Sequence, residues 1–398
     1  MTRAAGSAAV RLAFVVSHPI QYYAPLYQRL ARRGDVAIKV FYTWHAAEGA
    51  APDHGFGQPI AWDIPLTEGY DHERVPNTSS DPGTHRFLGL ANPELAARVL
   101  AWRPDAVHVT GWAWLSHLLL LRTLHRAGVP TLFRGDSHLL DGTGSGALGA
   151  ARRALRRRVF RWPTAFLDVG EANRRYYEAH GVDGARLCRS PHSVDVARFA
   201  EPADRHAAQA REWRARLGIG GDRIVLLYAG KFEPRKQPLE LMRAVRGLAD
   251  RRILLIMAGA GELDAEVRAL AGDDDRFRLL PFQNQSRMPV VYRLADAFVL
   301  PSAYGETWGL GVNEAMACGR AVLVSDRVGC AADVVDGSCG RVFRAGDPGA
   351  LAAALAALAA DPAQLARMGA SAARKAWNFD IAVTEETLMA CLARMLAR

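Results

Sequence analysis

Cysteine is scarce in this 398-residue chain: Cys188, Cys318, Cys330, Cys339 and Cys391 are all there are. Five is an odd number, and they are scattered without metal-ligand spacing. That excludes a disulfide-dense secreted scaffold and a cysteine-held metal, and reduced thiols in a cytoplasm are expected. No uninterrupted apolar run approaches the ~20 residues that span a bilayer. Residues 1–9 are small and polar and lack the apolar core of a signal peptide, so secretion is not expected. Lysine is also rare. Of 50 basic residues only Lys39, Lys231, Lys236 and Lys375 are lysines, so arginine carries the net charge of +9. Such an excess suits anionic substrates or an anionic membrane, and it equally follows from arginine usage in a GC-rich genome. No basic patch interleaved with aromatics and no nucleic-acid module accompanies it, so nucleic acid is not an expected partner.

What is present is the composition of a folded protein, half apolar and 23% charged. The length suits two α/β domains of roughly 150–200 residues each. Strand-like runs at 11–16, 36–42, 106–109, 130–133 and 165–168 alternate with helical patterns, clearest at 95–102, 114–127 and 151–161. A break near 199–205 contains Pro202. A second set of strands follows at 223–229, 253–258, 277–280, 297–300 and 321–324, then helices at 350–360, 362–376 and 378–398. This βαβ alternation predicts two doubly wound, Rossmann-like α/β domains, 1–200 and 201–376, followed by a final helix over 377–398. Ligands of such sheets bind at the carboxyl ends of the strands, here in a cleft between the two domains.

Residues 301–326 are the most informative stretch. An apolar strand (297–300) leads into a glycine-interrupted loop, then a small-residue helix from about Gly309 to Cys318, then a second apolar strand. Backbone N–H groups around Gly309, Leu310 and Gly311 at that helix start suit an anion, most naturally a phosphate. Glu306 and Glu314 bracket the helix start and can accept hydrogen bonds from hydroxyls on whatever the phosphate carries. A phosphate between two hydroxyl-rich groups describes a nucleotide sugar.

The glutamate pair, set in Pro-Ser…Glu306-Thr-Trp308-Gly…Glu314-Ala-Met-Ala-Cys-Gly, resembles the signature of retaining GT-B glycosyltransferases, family 4 in particular. Three further blocks are similar to that family: 228–236, with Gly230, Lys231 and Lys236; the Gly259-Ala-Gly turn; and 190–199. The resemblance implies a GT-B fold and transfer of a sugar from a nucleoside-diphosphate sugar to a hydroxyl-bearing acceptor, with retention and without a metal or other cofactor. It also implies that the final helix crosses back to the N-terminal domain near Trp377. Lys231, at the family's arginine position, and Lys236, at its lysine position, would offset charge on the departing diphosphate; read alone they are two solvated lysines on a loop. Glu306 would accept from the transferred sugar and Glu314 from the ribose, although by itself Glu314 reads as a carboxylate favoured near a helix start. Phe282, with Gln283, would lie where the family reads the base.

The N-terminal half departs from the family. Its usual Gly-Gly loop is replaced by Ser17-His18-Pro19-Ile20-Gln21-Tyr22-Tyr23, in which His18 and Gln21 would act through side chains and Tyr22 would line an acceptor site; the plain alternative is a helix start with core tyrosines. The usual His-x-His reads His108-Val-Thr110, so its second histidine is missing. Arg134, Asp136 and His138 are the candidate substitutes near an acceptor hydroxyl, and Arg134–Asp136 reads equally as an ion pair closing the loop. Glu171 is a further candidate. Asp273-Asp274-Asp275 precedes a strand and reads as a solvated turn, so no metal is expected. The segment 151–162 carries Arg152, Arg153, Arg156, Arg157, Arg158 and Arg161 beside apolar residues, which suits either a surface helix packed on the sheet or peripheral contact with the inner membrane face. Two rival functions stay open: a nucleotide-sugar epimerase or hydrolase of the same fold, and a sugar-nucleotide-binding protein without catalysis.

Overall fold

The computed structural model describes residues 9–44, 51–53, 58–142 and 146–397. Positions 1–8, read above for a signal sequence, lie outside them. The chain divides into two units: Met1–Glu48, Pro65–Pro191 and Ile381–Arg398 form the first, Gly49–Ile64 and His192–Asp380 the second. The first unit thus stops at Pro191 rather than near 200. A short stretch flanked on both sides by first-unit sequence belongs to the second.

The first unit is built on a seven-stranded sheet in the order His72–Arg74, Val36–Tyr42, Val10–Val16, Ala106–Thr110, Thr131–Arg134, Ala165–Asp168, Leu187–Arg189. Every neighbouring pair is parallel. The alternation of a strand explains the composition of its core. Leu12, Phe14 and Val16 point to one face, against Tyr27 and Leu30 and against Ile381, Leu388, Leu392 and Met395 of the last helix. Ala13 and Val15 point to the other, with Leu120, Leu121 and Leu124. Burial on both faces turns such strands into continuous apolar runs. Burying one such leucine contributes about 2 kcal/mol.

The last helix, Ile381–Leu396, is fixed to this unit by charge as well. Glu385, 6% exposed, accepts from Arg29 Nε at 2.7 Å and from Arg33 Nη1 at 2.9 Å. Cys391 on that helix is disulfide-bonded to Cys188 on Leu187–Arg189, 203 positions away, which corrects the expectation of five reduced thiols. Residue spacing along the chain carries no record of two cysteines brought within a Cα separation of 6.1 Å by the fold. The other three cysteines are free and buried.

The second unit is built on a six-stranded parallel sheet, ordered Phe277–Leu280, Ile253–Ala260, Ile224–Lys231, Ala297–Leu300, Ala321–Ser325, Gly340–Phe343. Counted along the chain this is the order 3-2-1-4-5-6, which reverses between the first and fourth strands. A crevice opens at that switch point, outside the carboxyl ends. Helices Pro348–Ala359 and Pro362–Ala376 start at Asp-Pro steps. Asp347 accepts from Ala350 N and Asp361 from Gln364 N, both at 2.9 Å, while each proline takes the first helical turn, where its missing N–H has no partner to lose. Leu351, Leu355 and Leu358 then join the core of the sheet. Among the described residues no single helix is long and apolar enough to cross a membrane; Pro348–Ala359 with Pro362–Phe379 is so only as a pair bent by 96°.

Candidate active site

Of the donor candidates, Gly230, Lys231, Lys236, Glu306 and Gly309 lie at the switch point of the second sheet, whereas Phe282 follows its edge strand. Strand Ile224–Lys231 ends in Gly230 and Lys231, and a 3-10 turn, Pro234–Lys236, follows. The loop 301–309 leaves the neighbouring strand Ala297–Leu300. Backbone and side chains lace the two segments together: Ala303 N donates to Arg235 O at 2.8 Å, and Arg235 Nη1 donates to Gly305 O at 3.0 Å. Across this seam Lys236 Nζ donates to Glu306 Oε2, with side chains only 15% and 11% exposed. Ser302 Oγ also donates to Glu306 Oε2, at 3.1 Å. Lys231 and Lys236 are half of the lysines in a chain otherwise committed to arginine.

Beyond Glu306 the loop is pinned by Gly329 N to Glu306 O (2.9 Å) and Cys330 N to Trp308 O (3.0 Å). A Cβ on Gly329 would meet Thr307 O at 1.9 Å, so only glycine permits this approach. Gly309 opens helix Leu310–Ala317 in the left-handed region (φ 95°), and no side chain caps the first turn. A Cβ there would lie 2.8 Å from Leu300 Cδ2 and 2.9 Å from Val328 Cγ1. The helix start is therefore bare of side chain, with N–H groups available to an acceptor. Glu314, 2% exposed, lies inside the same helix and accepts from Tyr292 OH at 2.7 Å.

Trp308 is 3% exposed. Its Nε1 donates to Asn313 Oδ1 at 3.1 Å, and its ring packs near His192 and Phe379. Its indole is thus part of the packing under the loop. Gly259 stands opposite Gly230 in register, where a Cβ would meet Gly230 O at 1.9 Å; close strand approach accounts for that glycine. Phe282 follows the edge strand Phe277–Leu280 and meets Trp62 edge-on, ring centroids 6.2 Å apart. The Asp273–Asp275 turn is engaged by arginines: Asp274 with Arg276 at 2.8 Å, Asp275 with Arg223 at 2.6 Å, and these partners hold both carboxyls below their ordinary range. Among the described residues no group of three or more His, Cys, Asp or Glu is placed to hold a metal ion.

In the first unit His18 follows strand Val10–Val16, at the switch point of that sheet. Its Nδ1 lies 2.9 Å from Ser17 Oγ and its ring meets Trp44 edge-on. Gln21 and Tyr22 are half-buried beside it, in the turn leading to helix Ala24–Ala31. Arg134 is buried rather than presented: Nη1 donates to Ser190 O and Oγ, each at 3.1 Å, and the guanidinium lies 5.9 Å over the Tyr23 ring. Asp136 is exposed and His138 half-buried, with Leu140 N donating to His138 Nδ1 at 3.3 Å. Glu171 opens helix Glu171–Ala179 and pairs with Arg175 at 2.8 Å.

Two histidines beside strand Ala106–Thr110 are closed to solvent. His108 is 5% exposed, and burial, with the Arg134 charge second, pushes its pKa down to about 3. His117 donates through Nδ1 to Thr110 O at 2.9 Å, while Nε2 lies 3.0 Å from Thr43 Oγ1; burial lowers its pKa to about 4. Sequence reading missed this second histidine, which reaches the strand's end from seven residues further along a helix. It also missed Trp62, a lone aromatic in a loop with no local pattern.

Two sheets of this strand order, one carrying cations, a carboxylate and an open helix start at its switch point, define the GT-B class of glycosyltransferase. Comparison with known proteins places the chain within that class. A family model described as "Glycosyl transferases group 1" matches residues 209–375, and one described as "Glycosyl transferase 4-like domain" matches 67–192. The D-inositol 3-phosphate glycosyltransferase of Kineococcus radiotolerans is 30% identical over 413 residues, covering 92% of this chain and 88% of that protein. The enzyme of the same name from Nocardia farcinica is 35% identical over 234 residues, 56% of this chain and 50% of that protein. Among solved structures, Anabaena HepE in complex with UDP and glucose superposes with a TM-score of 0.72 at 16% identity, over 97% of this chain and 100% of that one. Sucrose-phosphate synthase from Thermosynechococcus elongatus does so with 0.73 at 18% identity, over 98% and 99%. The chain belongs to glycosyltransferase family 4, and it transfers a sugar from a nucleoside-diphosphate sugar to an acceptor hydroxyl.

Proposed function

We propose that the donor's diphosphate lies at the second sheet's switch point, between Lys231, Lys236 and the N–H groups of Gly309, Leu310 and Gly311. The observation that carries this reading is the Lys236–Glu306 pair beside an uncapped helix start. Without donor the two charges neutralise each other. On binding, the ammonium turns to the phosphates and releases the carboxylate to accept from a sugar hydroxyl. Glu314, steadied by Tyr292, accepts from the ribose, and Phe282 lies beside the base. Trp308 acts by holding the loop, and Gly230 and Gly259 by letting two strand ends come close.

Transfer proceeds with retention. The acceptor oxygen bonds to the anomeric carbon on the face from which the phosphate leaves, and the departing phosphate oxygen takes the acceptor's proton. Negative charge grows on the diphosphate as the glycosidic bond breaks, so the two ammonium groups stabilise the transition state more than the ground state. His18, Gln21, Tyr22, Asp136 and His138 are the acceptor-side residues, with Arg134 holding that edge in place. The acceptor is a hydroxyl-rich compound, the class to which the inositol phosphate in the relatives' names belongs. Donor turnover should require an added acceptor, and Lys236→Ala and Glu306→Ala should each lower transfer by two orders of magnitude or so. Turnover without acceptor would identify a hydrolase or epimerase instead.

One observation favours a membrane-borne acceptor. Helix Gly146–Val159 buries only Gly149 and Val159, while Leu148 and Leu155 are 64% and 50% exposed amid its arginines. Outward leucines flanked by guanidinium groups suit an anionic lipid surface at the inner face of a membrane. Flotation with anionic vesicles, lost in Leu148→Ser/Leu155→Ser, tests it.

A further inference from the structure

We propose that Trp62 is a nucleobase-contacting residue: with Phe282 it forms an aromatic seat for the base of the donor nucleotide. The inference rests on the donor placement proposed above.

The residue comes from an unexpected part of the sequence. Gly49–Ile64 is flanked by first-unit sequence yet groups with the second unit. Specific bonds hold its end. Asn284 Nδ2 donates to Ala61 O at 2.6 Å, and Asp63 N donates to Asn284 Oδ1 at 3.3 Å. Ser286 N donates to Asp63 Oδ1 at 3.0 Å, and Ser286 Oγ donates to Asp63 Oδ2. Trp62 sits between these two anchors, its ring 6.2 Å from that of Phe282 at an interplanar angle of 66°. Its backbone is therefore fixed on both sides, although the contact spans some 220 positions of sequence.

Position within the sheet says what such a ring would meet. Phe282 lies just past the carboxyl end of Phe277–Leu280, which is two strands from Ile224–Lys231. Two strand spacings are ~10 Å, about the reach from the phosphates of a nucleoside diphosphate to its base. A diphosphate at Lys231 thus brings a base to the Phe282 edge. Trp62 is only half-buried there, and its indole N–H has no hydrogen-bond partner among the described residues. An indole in a packed setting ordinarily finds one. A base supplies both missing elements: a flat face for the ring and a carbonyl for the N–H.

The test is equilibrium binding of uridine, guanosine and adenosine diphosphates, and of inorganic pyrophosphate as a base-free probe, to the full chain by calorimetry. Trp62→Ala should weaken the preferred nucleotide about 5- to 150-fold, the range given by loss of one stacked base, and flatten the preference among the three. Pyrophosphate binding should be unchanged. Trp62→Phe, which keeps a ring in place, should retain most of the affinity. Lys236→Ala should weaken nucleotide and pyrophosphate together. Unchanged nucleotide binding and preference in Trp62→Ala, with Lys236→Ala impaired, would overturn the role of Trp62 and leave the donor site standing. Equal loss of nucleotide and pyrophosphate in Trp62→Ala would also overturn it, by making the tryptophan a structural prop. Unaltered binding in Lys236→Ala would overturn the donor placement itself, and with it this inference.

Discussion

Removing the charge of Lys236 should damage stability and catalysis by different rules, and a double-mutant cycle separates them. The side chains of Lys236 and Glu306 are 15% and 11% exposed, close to the buried regime. Deleting one member of a buried pair costs about 3–5 kcal/mol, because the other charge is left without compensation. The bond from Ser302 to Glu306 and the residual exposure reduce this to about 2–3 kcal/mol for Lys236→Met. Glu306→Gln should cost a similar amount. The double variant Lys236→Met/Glu306→Gln removes both charges in nearly the same volume, so it should lose only about 1 kcal/mol, a coupling of several kcal/mol. Activity should follow no such compensation. Losing one fixed cation where phosphate charge develops costs ~3 kcal/mol, or roughly a hundredfold in kcat/KM. The double variant should be at least as slow as either single one, since the roles in transfer concern different parts of the donor. Urea unfolding gives the first cycle and initial rates with saturating acceptor give the second. A stability coupling below about 0.5 kcal/mol, or Lys236→Met retaining kcat/KM within about threefold, would refute the reasoning.

Other consequences are more local. Gln237 adopts the left-handed conformation (φ 55°), which glycine takes without steric cost, so Gln237→Gly should raise stability by up to about 1 kcal/mol in urea titration. Gly309→Ala should cost about 2 kcal/mol or more and lower transfer, because its Cβ would press on Leu300 and Val328 in a conformation alanine avoids; an unchanged melting curve would count against the geometry described. Reducing Cys188–Cys391 opens a 203-residue loop and should lower stability by about 4–5 kcal/mol, read as a lower Tm in reductant that is matched by Cys391→Ala without it. His108 and His117 have folded pKa values of about 3 and about 4, below an unfolded value of ~6.5. The unfolded chain therefore binds more protons below that pH, so this stability is fully present above ~6.5 and is lost, by several kcal/mol, as pH falls towards 4. Urea midpoints that stay level between pH 7 and pH 4 would contradict the burial of both rings.

The internal strands were legible in the sequence because they are apolar on both faces. Ala297–Leu300 and Ala165–Asp168 lie where the sequence pattern places them. Edge strands, Phe277–Leu280 apart, were not. His72–Arg74, Leu187–Arg189 and Gly340–Phe343 are three or four residues long and carry arginine on open edges, so no hydrophobic run announces them. Helix Gly146–Val159 begins five residues before the expected start, because small residues without an apolar stripe carry its first turn. In the site, the motif around Glu306 could be read because its glycines and carboxylates are neighbours in sequence. Trp62, His117 and the Cys188–Cys391 pair could not, since each acquires its meaning from a partner that only the fold supplies. Arg134, read either as an acceptor-side candidate or as an ion-pair partner of Asp136, is buried and donates to Ser190, a contact set by a strand end that only the tertiary structure defines.

The central claim is that the switch point of the second sheet grips a diphosphate. A crystal structure of the full chain with a bound nucleoside diphosphate tests it most directly. The account predicts phosphate oxygens within hydrogen-bond reach, about 3 Å, of Lys231 Nζ, of Lys236 Nζ turned away from Glu306, and of the amides opening helix Leu310–Ala317. Phosphates bound elsewhere on the chain, with the Lys236–Glu306 pair intact, would contradict it.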